Sequence, residues 1–308
     1  MDGADRNPEF GVSIVPLADP PDHALRVARA AEEVGLDLVG IQDHPYQRRF
    51  LDAWTLISTL VPATERVRFF LSVANLPLRP PAMLAKAAAS LDLISGGRVE
   101  MGLGAGAYWD AVVAMGETRK SPGEALEAVR EAVEVMRLLW SEERSARYEG
   151  KFYSLRGARP GPRPAHEIRI WLGAVGPRML RLTGELADGW AAPIPAYLPY
   201  ERWGEAQEMI DTGAHEAGRD PAEVFRIANI PGAISGSEGS RPRGSDPLVG
   251  PSGFWAEVLA EWALEFRFDT FVFWPTEDPE RQVRRFGEEV VLAVKEAVAA
   301  EHRQGAGG

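Results

Sequence analysis

Eight apolar runs of strand length, each followed by a helical pattern, divide this chain of 308 residues from end to end. Such alternation builds parallel sheets, because a strand reaches a parallel neighbour only through a long crossover, usually a helix. The runs are FGVSIVP, LDLVGIQ ending before Asp43, VRFFLSV ending near Val73, RVEMGLG ending near Gly104, IRIWLG ending at Gly173, DGWAAP with its apolar part over Gly189 to Pro193, FRIANI around Phe225 to Ile230, and DTFVFWP ending at Pro275. Eight strand-helix pairs fit a (β/α)8 TIM barrel, which takes roughly 250 residues plus insertions. The competitor is an open doubly wound sheet. That fold would favour a GxGxxG opening a helix after the first strand, and the first strand here runs into PLADPPDH. The expected architecture is α/β: one barrel domain over 1–308, with insertion loops at its carboxyl-terminal face and flexible tails at 1–9 and 301–308.

The helices between the runs carry their own signals. PDHALRVARAAEEVG repeats apolar residues at helical spacing through Leu25, Ala28 and Val34 and stops at Gly35, a C-terminal cap. GEALEAVREAVEVMRLLW places Leu126, Val129, Val133, Met136 and Trp140 on one stripe, read as core. Two connections are long: Tyr148 to Glu167, rich in Pro, Gly and Arg, and Ser235 to Gly253. The second is either a mobile lid or a plain disordered loop.

Composition narrows the function class. The chain has no cysteine, which removes disulfides, thiolate metal sites and cysteine nucleophiles together. A net charge of -11 argues against nucleic acid as a partner, since phosphate binding needs a basic surface. No apolar run approaches the roughly 20 residues of a spanning helix, and MDGADRNPEF lacks the regions of a signal peptide. A cytoplasmic protein acting on small molecules, without membrane association, is expected.

In a (β/α)8 barrel the carboxyl ends of the strands line the site. The second run ends at Asp43, His44 and Pro45. Histidine suits proton transfer near neutral pH, and the aspartate beside it can bond a cofactor or hold a loop. His23, His166, His215 and His302 have no carboxylate or second histidine at ligand spacing and read as solvated surface. Neither HExxH nor GxSxG occurs, which disfavours a metal or serine hydrolase, and no metal site is expected. The fourth run ends in GLGAG, where Ala105 and Gly106 leave backbone open to a polar ligand or a flat ring. After the fifth, Ala174, Val175, Gly176, Pro177 and Arg178 lie between a strand end and a helix N-terminus, a setting for a phosphate.

The block SVANLPLRPPAMLAKAAASLDLISGGRVEMGLGAG, from Ser72 to Gly106, resembles the luciferase-like monooxygenase superfamily, whose members carry LPLRHP, AK, a leucine-rich helix ending in SGGR, and GLGAG in this order. The likeness extends to DHP, to EALEAVREAVEVMRLLW followed by YEGKFYSL, to WLGAVGPRMLRLTGELADGWAAP and to FDTFVFWPTEDPERQVRRFGEEVVLAV. It implies a barrel that binds a flavin or the deazaflavin coenzyme F420 at the carboxyl ends of its strands. It also implies a non-prolyl cis peptide at Ser72-Val73 beneath the middle ring. Residues matching Asp43 and His44 lie beside the ring in the deazaflavin branch. Those matching Ala105, Gly106, Ala107 and Asp110, and the Ala174 to Arg178 loop, hold the ring and the phosphate tail. Some sugar-phosphate dehydrogenases of that branch use a glutamate where this chain has Ala107, so their mechanism is not expected here.

The resemblance implies an F420-dependent oxidoreductase exchanging a hydride with a small organic substrate, with His44 as acid, base or charge stabiliser. Tyr46, Trp54 and Trp109 are candidate pocket walls. One alternative is an FMN-dependent two-component monooxygenase supplied by a separate reductase, and another is a non-catalytic flavin-binding protein. Related barrels are often homodimers, an assembly that the resemblance allows here.

Overall fold

The computed structural model describes residues 6–305. All eight apolar runs form strands: β1 (Glu9–Ile14), β2 (Leu38–Ile41), β3 (Arg68–Leu71), β4 (Val99–Gly104), β5 (Ile170–Gly173), β6 (Gly189–Ala192), β7 (Phe225–Ile234) and β8 (Thr270–Pro275). Each is parallel to the next in chain order, and β8 returns to β1 with Thr270 opposite Glu9 and Phe271 opposite Phe10. The sheet is a closed eight-stranded barrel, the (β/α)8 fold that the alternation predicts.

Alternation along each strand sorts the core into two regions. Phe10, Val12, Ile14, Val39 and Ile41 pack among the residues of the helical layer, whereas Leu38, Phe70, Trp171, Ala191, Ile227 and Val272 form a separate cluster inside the barrel. The interior alternates large with small. A Cβ on Gly40 would stand 2.6 Å from Phe70 Cζ, and the Phe70 ring meets Trp171 edge to face at 5.2 Å.

The outer helices start and stop where their sequences say. His23–Glu33 ends in a turn where Gly35 takes φ +76° and the Leu36 amide donates to the Ala31 carbonyl. Pro122–Leu139 opens with a capping box, Ser121 Oγ accepting from the Glu124 amide while the Glu124 carboxylate accepts from the Ser121 amide, worth about 1 kcal/mol. Val129, Val133 and Met136 are buried as the stripe predicts. Leu126 and Trp140 are partly buried against the same core.

Several expectations are corrected. Glu9, assigned to a tail, opens β1, Arg6 pairs with Asp269 at 3.0 Å, and the last helix runs from Leu292 to Gly305; the tails at 1–5 and 306–308 lie outside the described residues. The connection around Tyr148 contains an antiparallel hairpin, Ala146–Glu149 with Ser154–Ala158, whose turn is held by the Glu131 carboxylate accepting from the amides of Lys151, Phe152 and Tyr153. The Ser235 to Gly253 connection adds a short strand, Leu248–Gly250, beside Gly232–Ile234 and ties back through Arg241 to Glu257 and Glu261. It is anchored at the carboxyl end of β7, and no residue from 235 to 253 lines the cleft described below.

His166 is also not a solvated surface residue. Its Nδ1 lies 2.9 Å from Asp92 and its Nε2 lies 3.6 Å from Glu100, both carboxylates buried. Its partners come from sequence positions 74 and 66 residues away, so local spacing gave no sign of them. Glu100 also receives Arg68, which reaches Glu9 as well. Beside this network Phe225 is sandwiched between the guanidinium groups of Arg6 at 4.0 Å and Arg169 at 4.1 Å.

Candidate active site

A cleft of about 1190 Å³ opens where the carboxyl ends of the strands converge. Its floor is Val73. The Ser72-Val73 peptide is cis, as the resemblance implies. The valine side chain fills space that the strand-end glycines leave: a Cβ on Gly104 would stand 2.7 Å from Val73 Cγ2, and one on Gly173 3.0 Å from it. The glycines therefore serve a fit with Val73 as well as access to backbone. The result is an apolar surface bordered by Ser72, Asn75 and Ala105. Asn75 is buried, and its Oδ1 has no partner within the protein.

Asp43 and His44 both reach the cleft, in different roles. The Asp43 carboxylate accepts from the Asn75 amide at 2.9 Å and from Arg79 at 2.6 and 2.7 Å, and Arg79 bonds Asp52 at 2.6 Å as well. Asp43 is thus the anchor of the loops after β2 and β3. Burial dominates Arg79 in isolation, but the two carboxylates more than offset it and hold the guanidinium charged.

His44 is half-buried, and burial pushes its pKa below the usual histidine value, with Asp43 opposing weakly. Its Nδ1 lies 2.7 Å from the Tyr46 hydroxyl, whose own pKa burial drives up, so the phenol keeps its proton. With Nδ1 engaged, Nε2 remains as the atom at which His44 holds or moves a proton. Phe50 and Tyr108 face the imidazole, with ring centroids 6.5 and 5.9 Å away. The Tyr108 and Tyr197 hydroxyls bond to each other from loops after β4 and β6.

The opposite end is cationic. Gly106, Ala107 and Trp109 lead from β4 towards Arg119, Lys120 and Ser121, all lining the cleft. Val175, Gly176, Pro177 and Arg178 line it from the other side, where the helix Pro177–Leu186 starts with no side-chain cap and so leaves its first amides free. Arg178 reaches the first turn of the neighbouring helix, its Nη1 3.7 Å from where a Cβ on Gly123 would stand. One uncapped helix N-terminus, Lys120, Arg178 and Arg119, the last paired with Asp110, thus flank one end, a setting for a phosphate or other anion.

Not every expected residue belongs to the cleft. Asp110 is fully exposed, pairs with Arg119 and does not line it. Ala174 is buried beneath the loop, where its carbonyl accepts from Trp190 Nε1 at 3.0 Å. Trp54 is core and does not line the cleft, whereas Trp109 does. Arg79, Tyr108, Tyr197, Asn229 and Trp274 were missed; Trp274 is next to the end of β8, whereas Asn229 is at the middle of β7. Trp274 Nε1 donates to Asn229 Oδ1 at 2.7 Å, and Asn229 Nδ2 donates to the Ala192 carbonyl at 2.6 Å. Among the described residues no cluster of His, Cys, Asp or Glu could hold a metal ion, and no helix is long and apolar enough to cross a membrane.

Fold and cleft together define a (β/α)8 protein with a ligand-sized cleft at the carboxyl ends of its strands. The model of the luciferase-like monooxygenase family matches residues 5–239, and the chain belongs to that family. It is 35% identical over 227 residues to a 5,10-methylenetetrahydromethanopterin reductase of Archaeoglobus fulgidus, covering 72% of this chain and 64% of the relative. It is 37% identical over 225 residues to an F420-dependent glucose-6-phosphate dehydrogenase of Intrasporangium calvum, covering 68% and 63%. The chain thus spans somewhat under two-thirds of the length of these relatives. Among solved structures, an F420-dependent secondary alcohol dehydrogenase in complex with an F420-acetone adduct superposes with a TM-score of 0.78 at 21% identity, covering 94% of this chain and 99% of that one. A long-chain alkane monooxygenase superposes at 0.79 and 12% identity, covering 94% and 92%.

Proposed function

We propose that this chain is an F420-dependent oxidoreductase exchanging a hydride with a small organic substrate. The observation that carries the reading is the two-ended cleft: an apolar floor beside a half-buried histidine at one end, and an uncapped helix N-terminus with three cations at the other. The relatives named for F420 or for a pterin reduction support it. The residues fit the cofactor: the Val73 floor suits a planar ring, Asn75 Oδ1 is a buried acceptor without a partner, and Arg119, Lys120 and Arg178 suit a phosphate. When bound, F420 would supply hydride donation and acceptance at C5.

The chain's own residues orient and move protons. Val73, Ala105 and Gly106 would support the ring, and Gly176 and Arg178 the phosphate. The lowered pKa leaves His44 neutral at pH 7, and in the tautomer whose Nδ1–H donates to the Tyr46 oxygen the Nε2 lone pair is able to take a proton from a substrate hydroxyl in the oxidative direction, or to return it to a carbonyl oxygen in the reductive one. Tyr46 positions the imidazole through Nδ1.

The test is a titration of the purified protein with oxidised F420 and with FMN, followed by absorbance and fluorescence. Tight F420 binding with weak or no FMN binding is expected. The reverse preference overturns the reading in favour of an FMN-dependent monooxygenase with a partner reductase, and bound cofactor without turnover by any reductant favours a non-catalytic role. The proposal takes 1–308 as one barrel domain working in the cytoplasm, as a homodimer whose state sedimentation measures.

A further inference from the structure

The end of the cleft around His44 differs chemically from the cationic end. Phe50, Tyr108 and Tyr197 line it, and Tyr46 stands behind the imidazole. Its one charged group, Asp43, is committed to Arg79. Tyr197 is pushed up to about 12, chiefly by burial, and stays a neutral phenol. Tyr108 takes a left-handed backbone, φ 53°, and its ring meets His44 edge to face at 84°. Tyr108 and Tyr197 are 53% and 46% exposed, so a ligand reaches their faces from solvent. One of their two hydroxyl protons lies between the oxygens, and the other is free for a ligand oxygen.

We infer that this aromatic end is the substrate chamber and that it takes an uncharged compound with a flat apolar body and one hydroxyl or carbonyl oxygen. The ring faces supply area, and the Tyr108–Tyr197 pair and His44 receive the oxygen. A carboxylate or phosphate placed there finds no lining cation, since Arg79 is already taken by Asp43 and Asp52. The claim that the compound is a substrate rests on the function proposed above, whereas the binding preference does not.

The test compares benzyl alcohol, benzoate and benzyl phosphate as probes by saturation-transfer NMR and competition, on the protein with and without F420. Benzyl alcohol should bind both forms, with benzoate and benzyl phosphate at least about tenfold weaker, the cofactor-free series being run in saturating inorganic phosphate so that the cationic end is filled. Tyr197→Arg should reverse that order, and Tyr197→Phe should weaken benzyl alcohol while leaving the F420 dissociation constant within about threefold. Equal or tighter binding of the anionic probes to the unaltered protein overturns the inference, as does an order unmoved by Tyr197→Arg or a failure of benzyl alcohol to bind. Failure of F420 itself to bind counts against the cofactor reading alone, because the probe series is also read on cofactor-free protein.

Discussion

Val73 occupies the space that a side chain on Gly104 would need: the added Cβ would lie 2.7 Å from Val73 Cγ2. Valine is stiff at χ1 and cannot swing aside freely. Gly104→Ala should therefore destabilise the protein by about 1–3 kcal/mol and weaken F420 binding by displacing the floor. Adding Val73→Ala should restore part of both losses. Thermal unfolding and cofactor titration across the double-mutant cycle measure this, and strictly additive effects would show that the two positions do not share the space.

Arg79 ties two loops through Asp43 and Asp52. Its removal leaves the Asp43 carboxylate, 1% exposed, with a backbone amide as its remaining partner. Arg79→Ala should cost about 3 kcal/mol in denaturant unfolding. Arg79→Lys should recover little of it, because an ammonium cannot make the forked contact.

His44 is neutral over the physiological range because burial lowers its pKa. Substrate oxidation should hold its rate down to the lowered value and fall below it, so the acid limb of kcat/KM lies under the ordinary histidine range. His44→Ala should cut turnover by about a hundredfold or more with cofactor affinity retained. Tyr46→Phe should shift the acid limb and lower kcat less than His44→Ala does, and an unmoved profile would remove Tyr46 from the positioning role.

At the amino-terminal face the sign is opposite. Glu100 and Asp92 raise the pKa of His166, so its contribution to stability is full below the ordinary histidine value and disappears as pH rises through the raised one. His166→Gln should lower the unfolding midpoint more at pH 6 than at pH 9. Equal losses at both would mean that the imidazolium charge contributes nothing.

The cationic end should answer to salt. Lys120→Ala and Arg178→Ala should each weaken F420 binding by about tenfold at low ionic strength, and the loss should shrink as salt rises. Inorganic phosphate should compete for the same end, measured as displacement of cofactor fluorescence.

The strands were legible because each apolar run is bounded by turn residues and the count closes a barrel. His44 could be placed at the cleft because strand ends face it, whereas Val73 was placed there by the family resemblance. Asp43 was found as a site residue, but its role depends on Arg79, which lies in a neighbouring loop that sequence spacing does not connect. Tyr108 and Tyr197 are 89 positions apart and meet only when two strand-end loops converge. Ala174 and Asp110 belong to the right loops and point elsewhere: one faces inward beneath its own turn, and the other reaches solvent to meet Arg119. A loop can be placed from sequence more readily than the direction of each side chain within it.

The valine floor belongs to the rim of the barrel, whereas the aromatic end is assembled from three separate loops after β2, β4 and β6. A substitution at Phe50 or Tyr197 alters what the chamber accepts without touching the packing that closes the sheet. This separation gives the scaffold modularity. Loop changes alone can alter what the aromatic end accepts, while the Val73 floor and its packing pass on unaltered.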